Sequence, residues 1–215
     1  MIKQLIKSRW FEKSMDKKTI LVGLGSFLLI LLVGVAVLVF AAPASFRGTT
    51  YDKPYPVAPG FELTRSDGSS FQLSELRGNV VLLFFGYTSC PDVCPTTMAQ
   101  LKLAVSKLTE GEASLVKVLF VTVDPKRDTP DRVQTYISRF NPAFIGLGGS
   151  EAALAKVWQA YGVYRSDVPG ASADSYVVDH TARITVIDQA GNMRISFGYD
   201  ALVDDIVHDL ELLLK

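Results

Sequence analysis

The sequence has no excess of positive or negative charge, and it has few residues with thiol or imidazole side chains. Its 215 residues hold 22 Lys and Arg against 22 Asp and Glu, which gives a net charge of zero. No long basic or acidic run breaks this balance, so the composition gives no reason to expect a nucleic-acid partner. With only two cysteines and two histidines, thiol and imidazole chemistry is confined to very few positions.

Charge is also missing from a long stretch near the N-terminus. Residues 19–46 contain no charged side chain, and residues 20–40 are almost wholly Leu, Val, Ile, Phe, Gly and Ala. Such a run is long enough to cross a hydrocarbon core of about 30 Å as a helix. A signal peptide is the alternative, although its apolar region is usually about 7–15 residues long, and the small residues at 41–45 leave cleavage open. We predict an uncleaved transmembrane helix over residues 19–42.

Basic residues precede this run and are sparse after it, which predicts its orientation. The positive-inside rule places residues 1–18 in the cytoplasm and the remainder across the membrane. Glu12 and Asp16 argue against a mitochondrial transit peptide, which is normally poor in acidic residues. We therefore expect a single-pass protein of a bacterial inner membrane with its C-terminal domain in the periplasm. In that oxidising compartment a close cysteine pair tends to form a disulfide.

Prolines follow the apolar run, and a folded domain follows the prolines. Residues 43–60 contain four prolines and few large apolar residues, which predicts an extended tether. The domain is predicted over residues 61–215, as an α/β fold with a mixed sheet. Predicted strands are 61–64, 70–73, 79–86, 115–123, 144–147, 183–188 and 193–199. The first predicted helix begins at the cysteines and carries apolar residues at helical spacing from Met98 to Leu108; the others cover residues 131–140, 151–161 and 202–213.

The two cysteines lie where a buried strand is predicted to meet a helix. Cys90 and Cys94 are four positions apart in the segment TSCPDVCP. The positive end of the helix dipole favours the thiolate there, and thiolate both attacks disulfides and binds soft metals. A purely structural disulfide is the alternative, but so short a loop gains little stability from cross-linking.

His180 lies in a polar segment just before a predicted strand, where strand ends and strand-to-helix loops share a crevice. A lone histidine is by default a hydrogen-bonded loop residue without a further role. The other histidine, His208, is expected on the surface of the last helix. Met98 and Met193 are expected in the core rather than as metal ligands, because they sit on apolar faces.

Three segments together resemble the signature blocks of the SCO/SenC family of membrane-anchored copper proteins, which assist assembly of the binuclear copper centre of cytochrome c oxidase. They are GYTSCPDVCPTTM, VTVDPKRDTP at residues 121–130 and VVDHTARITVIDQAG at residues 177–191. The resemblance covers the domain from about residue 60 to the C-terminus. It implies a thioredoxin-like fold.

The resemblance also implies roles for individual residues. Cys90 and Cys94 match the family's copper-binding thiols, and His180 matches its imidazole ligand. Asp92 and Asp179 match acidic residues beside these ligands and are expected to orient them from a second layer. Asp124 and the proline after it match a strand-end pair expected to shape a loop.

A metallochaperone rather than an enzyme is therefore the favoured interpretation, with one Cu(I) or Cu(II) per chain. The implied partners are the copper-bearing subunit of the oxidase, a periplasmic copper donor or thiol reductant, and the membrane. The alternative is a thiol–disulfide oxidoreductase acting on the oxidase cysteines through a Cys90–Cys94 disulfide. Two features count against it: three residues separate the cysteines rather than two, and no proline lies between Gly170 and Arg183, where thioredoxins carry a cis-proline.

Overall fold

The computed structural model describes residues 17–40, 45–169 and 176–215. The chain divides into two compact units, Met1–Ser45 and Phe46–Lys215. Most of the predicted cytoplasmic segment 1–18 lies outside the described residues, as do the last two residues of the predicted membrane helix and the first two of the tether.

The N-terminal unit contains one helix, α1, over Lys17–Phe40. Side chains of this helix are described for residues 20–35, all of them exposed. Within the described residues, no helix has both the length and the apolar character needed to cross a membrane.

The second unit is a mixed α/β domain. Its strands are β1 Thr49–Thr50, β2 Glu62–Thr64, β3 Ser70–Gln72, β4 Val80–Gly86, β5 Val116–Thr122, β6 Ile145–Leu147, β7 Arg165–Pro169, β8 Tyr176–His180, β9 Arg183–Ile187 and β10 Met193–Gly198. Its helices are α2 Val93–Lys107, α3 Glu110–Ser114, α4 Pro130–Ser138, α5 Glu151–Ala160 and α6 Val203–Leu213. All seven predicted strands and the predicted helices are found, with ends shifted by a few residues.

The central sheet has six strands in the order β1-β10-β9-β4-β5-β6. β4, β5 and β6 run parallel, whereas β9 runs antiparallel to β4 and β10 antiparallel to β9. β4 is buried along its whole length, as its unbroken apolar run predicts for a strand covered on both faces. The strands β4 and β5 therefore form the centre of the sheet, and the cysteines and the loop after β5 follow their C-terminal ends.

The helices begin where their sequences predict. The Thr129 hydroxyl accepts a hydrogen bond from the Arg132 amide, and Pro130 follows at the first helical position of α4. Ser150 caps α5 in the same way, by accepting from the Ala153 amide. Each cap satisfies an amide that the helix itself leaves unpaired.

Part of the predicted tether differs from expectation, because it packs on the domain. Thr49 and Thr50 pair with β10 at the edge of the sheet. Further along, Ala58 is buried and its amide donates to the carbonyl of Gly191. The prolines keep this segment extended, and an extended segment can add itself to an exposed sheet edge.

A second difference concerns the segment before β9, which is predicted from the sequence to be a polar loop. β7 and β8 form a separate antiparallel two-stranded sheet with Arg165 opposite His180. Residues 170–175, at its tip, lie outside the described residues. His180 is therefore the last residue of a strand rather than part of a loop.

Candidate metal centre

Cys90 and Cys94 lie on the connection from β4 to α2. Cys94 is the second residue of α2 and is fully buried, whereas Cys90 precedes the helix and is half-buried. The amide of Cys94 points at the Sγ atom of Cys90, 3.4 Å away. Both cysteines are free thiols, so the disulfide predicted for an oxidised state is not formed here.

The two thiols differ strongly in acidity. A hydrogen bond from the Cys94 thiol, followed by those from the Cys94 and Asp92 amides, lowers the pKa of Cys90 to about 5. The same thiol–thiol hydrogen bond, together with burial and the nearby Cys90 charge, raises the pKa of Cys94 far above its usual range. Cys90 is therefore a thiolate at neutral pH, and Cys94 is the thiol that donates to it.

His180 faces the cysteines from the end of β8. Its Nδ1 atom lies 3.1 Å from the carbonyl oxygen of Val178, and its Nε2 atom lies 3.9 Å from the Sγ atom of Cys94. A carbonyl oxygen can only accept, so Nδ1 carries a proton and Nε2 is the ring nitrogen directed towards the thiols. The imidazole also meets the edge of the Tyr87 ring, at 5.6 Å between centroids.

Asp92 and Asp179 lie beside these three residues, as predicted, but do not hold them by their carboxylates. Both line the same open pocket as Cys90 and His180, and both are exposed. The Nδ1 partner of His180 is the Val178 carbonyl rather than Asp179. Asp92 acts on Cys90 through its backbone amide.

The donor set suits a soft metal. Two cysteine sulfurs and one imidazole nitrogen are ligands that copper prefers, with the thiolates favouring Cu(I). Within the described part of the chain, however, no group of three His, Cys, Asp or Glu side chains converges closely enough to hold a metal ion. Among the three predicted ligands, the His180 Nε2 atom lies 3.9 Å from the Cys94 Sγ atom, and the Cys94 thiol donates a hydrogen bond to Cys90.

The two methionines and the second histidine singled out in the sequence lie elsewhere in the domain. Met98 is fully buried, and Met193 is half-buried against the core, in agreement with the core positions predicted for them. His208 lies on α6, where its Nδ1 atom is 2.9 Å from Asp209.

Sequence reasoning missed the loop that follows β5, except for Asp124. The Asp128 carboxylate is fully buried and accepts hydrogen bonds from the Thr88 amide and hydroxyl, at 2.9 and 2.6 Å. The Arg127 guanidinium lies on the ring of Tyr176, 3.7 Å from its centroid. The proximity of KRD to a buried strand end is the signal that could have indicated charged groups turned inwards.

The family model described as SCO1/SenC matches residues 49–215. The chain belongs to the SCO1/SenC family. Among curated relatives, a SCO2-like protein of Rickettsia felis is 32% identical over 194 residues, which cover 90% of this chain and 92% of the relative.

Two solved structures of SCO proteins share the fold. The apo Sco1 protein of Thermus thermophilus is 40% identical with a TM-score of 0.72, covering 80% of this chain and 99% of that one. ScoI of Bradyrhizobium japonicum, solved with copper bound, is 36% identical with a TM-score of 0.66, covering 73% of this chain and 99% of that one. The thioredoxin-like α/β fold expected for a SCO1/SenC domain is thus confirmed.

Proposed function

We propose that this chain is a copper carrier that binds one copper ion through Cys90, Cys94 and His180. The observation that carries the proposal is the approach of the His180 Nε2 atom to the buried Cys94 sulfur, 3.9 Å away, beside the Cys90 thiolate. On this proposal the ion draws the three side chains together. The copper-bound ScoI of Bradyrhizobium japonicum supports it.

The ligand types fit a carrier better than a permanent metal cage. Two thiolates suit Cu(I), and the added imidazole lets the same site accept Cu(II). Three ligands leave an open position through which a partner ligand can enter. Because Cys94 must lose its proton to bind, loading releases this proton and requires the reduced pair.

The receiving protein on this proposal is the copper-bearing subunit of cytochrome c oxidase, whose binuclear copper centre the carrier helps to assemble. Membership of the SCO1/SenC family supports this role. A copper donor or a thiol reductant completes the cycle, since the cysteines must be reduced before each loading.

A second candidate function, thiol–disulfide exchange, is favoured by the difference between the thiols. Cys90 is half-buried with a lowered pKa of about 5, and Cys94 is buried with a raised pKa. This combination gives one attacking thiolate and one resolving thiol. The three-residue spacing and the imidazole in the position expected for a cis-proline favour copper carriage.

Copper titration of the reduced full chain tests the proposal. One equivalent of Cu(I) is expected to bind tightly, and the Cu(II) form is expected to show a sulfur-to-copper charge-transfer band. Cys90→Ser and Cys94→Ser should abolish the band. His180→Ala should weaken Cu(II) binding by more than the ~10–100-fold typical of losing an outer-layer partner.

His208→Ala is the matched control, because it removes the other histidine of the chain and should leave copper binding unchanged. Stoichiometric loading of Cys94→Ser would contradict the ligand set. Absence of copper binding together with rapid disulfide exchange would favour the oxidoreductase.

We also propose that residues 19–42 anchor the chain as a single-pass helix in a bacterial inner membrane, with the domain in the periplasm. The proposal rests on the uncharged sequence of residues 19–46 and the basic residues before it. In an oxidising compartment such as the periplasm a close cysteine pair tends to become a disulfide. A need for a reductant before copper loading is therefore consistent with this location.

A further inference from the structure

The hairpin that carries His180 has little attachment of its own to the domain core. β7 and β8 hydrogen-bond to each other as a separate sheet, and Val178 is the one buried residue among their described strand positions. Contacts from outside this hairpin must therefore fix the distance between the imidazole and the thiols.

The loop that follows β5, residues 124–128, supplies such contacts. The hydroxyl of Tyr176, the first residue of β8, donates to the buried Asp124 carboxylate at 2.7 Å. Arg127 forms an ion pair with the same carboxylate. Its Nη1 atom donates to the Tyr176 carbonyl at 2.9 Å, while its guanidinium carbon lies 3.7 Å from the Tyr176 ring centroid.

Arg127 also reaches the imidazole side of the site. Its guanidinium carbon lies 5.6 Å from the ring centroid of Tyr87, and the Tyr87 ring lies 5.6 Å from the His180 ring, nearly perpendicular to it. The order of contacts is thus Tyr176, Arg127, Tyr87 and His180. A cation between two aromatic rings is attracted to the electron-rich face of each.

The same loop also holds the cysteine segment. Asp128 accepts hydrogen bonds from the amide and hydroxyl of Thr88, two residues before Cys90, and a third from the Thr122 hydroxyl at the end of β5, 2.8 Å away. One short loop therefore contacts both halves of the site, which are otherwise distant in the chain.

We infer that Arg127 is a positioning residue, which fixes His180 opposite the cysteines by holding Tyr176 at the base of the hairpin and Tyr87 against the imidazole. Its effect on copper rests on the proposed function. Its effect on the position of His180 does not.

The positional effect can be measured without metal, because the chain has only two histidines. Selective carbon-13 labelling of histidine in the reduced, copper-free full chain in detergent gives ring signals from His180 and His208 alone. A nuclear Overhauser effect between the His180 and Tyr87 rings is expected in the parent protein. Arg127→Met should remove most of this signal, while the His208 shift stays unchanged as a report on the fold.

Lys126→Met is the matched control, because it removes one positive charge from the same loop. Lys126 is mostly exposed, pairs with Asp167 of β7 at 3.0 Å and lies 5.9 Å from the Tyr176 ring centroid. Among the described contacts it has none with Tyr87, so its loss should leave most of the His180–Tyr87 signal intact. Arg127→Lys keeps the charge beside Asp124 but loses the planar face. It should show a partial loss, and it provides the test if Arg127→Met does not fold.

Measurements of Cu(II) and Cu(I) binding then distinguish a positioning role of Arg127 from a general loss of stability. Arg127→Met is expected to weaken Cu(II) binding about 10-fold, as for other outer-layer residues. Binding of Cu(I) by the two thiols should change less than twofold.

A His180–Tyr87 signal of parent intensity in folded Arg127 variants would overturn the inference. Equal weakening of Cu(I) and Cu(II) binding would do so as well, since the role would then not act through the histidine. If the parent chain bound no copper but Arg127→Met still lost the signal, the positioning role would stand and the copper proposal would fall.

Discussion

At the scale of single residues, the two thiols differ in pKa because they occupy different positions at the start of α2. The Cys94 amide and thiol both point towards Cys90, and the Asp92 amide adds a third donor. Cys94 is enclosed by the core and has a negative neighbour in Asp128. Because donors stabilise a thiolate and burial without a counter-charge disfavours it, the single proton of the pair resides on Cys94.

This difference predicts an unusual pH profile for alkylation of the reduced, metal-free protein. With its pKa lowered to about 5, Cys90 stays deprotonated as pH falls from 8 to 6. Its rate with iodoacetamide should therefore be nearly constant over that range and fall only as pH passes through 5. Mass spectrometry of peptides containing Cys90 or Cys94 measures each rate separately.

Cys94→Ala provides the control for this profile. It removes the thiol that donates to Cys90, yet leaves the backbone amides in place. A profile that shifts upwards in pH would assign part of the lowered pKa to the thiol hydrogen bond. A tenfold fall per pH unit below pH 8 in the parent protein would instead indicate an ordinary thiol, whose pKa is about 8.5.

At the scale of secondary-structure elements, a buried carboxylate joins the start of the domain to its last helix. Asp209 of α6 is fully buried and accepts from the amides of Arg47 and Gly48, at 2.8–3.0 Å. These two residues immediately precede β1, which is too short to hold itself on the sheet. The anchoring of β1 therefore depends on a side chain that is distant in sequence.

Asp209→Asn should lower the free energy of unfolding by about 1–3 kcal/mol, because it removes the charge of a buried acceptor shared by two part-buried amides. The Tyr51 amide, which donates to the Arg194 carbonyl at 3.1 Å, should also exchange hydrogen faster. Urea denaturation and hydrogen exchange measure the two effects.

Asp205→Asn is the matched control on the same helix. Asp205 makes only an exposed ion pair with the Arg47 side chain, so its loss should cost about 0–1 kcal/mol. Equal costs for the two variants would show that the buried carboxylate has no special role at β1.

The elements that the sequence predicts are those with a strong pattern of their own. β4 and β5 are continuous apolar runs, and α4 and α5 carry a cap and a regular apolar face. β7 and β8 were not predicted, because only one of their residues is buried and the sequence shows no clear alternation. β1 was missed because two threonines become a strand only through pairing with β10.

At the scale of the whole molecule, the candidate site joins three parts of the chain: the β4–α2 connection, the loop after β5 and the β7–β8 hairpin. The sequence predicts Cys90, Cys94 and His180 through motifs that carry their own chemistry. It cannot indicate that Arg127 lies between two tyrosines, because that contact follows from the tertiary arrangement. The outer-layer role expected for Asp92 stays a prediction, and the structure adds a hydrogen bond from its backbone amide to Cys90.

The proposed anchor is tested on the whole chain in a bacterial host. The chain is expected to remain in the membrane fraction after washing with alkaline carbonate. A periplasm-active reporter fused after Lys215 should be active, and one fused before Met1 should not. Intact mass measurement of the purified chain tests cleavage near residues 41–45, and a mass lacking the N-terminal residues would contradict a retained helix.

The unequal depth of the two sulfur atoms gives the site an order of events. Cys90 is half-buried at the pocket surface, whereas Cys94 is enclosed by the core. Whatever arrives from solvent, an ion or the sulfur of another protein, meets Cys90 first and can reach Cys94 only afterwards. By microscopic reversibility, departure follows the opposite path, so Cys90 is the last contact to break and the one that a receiving protein must displace.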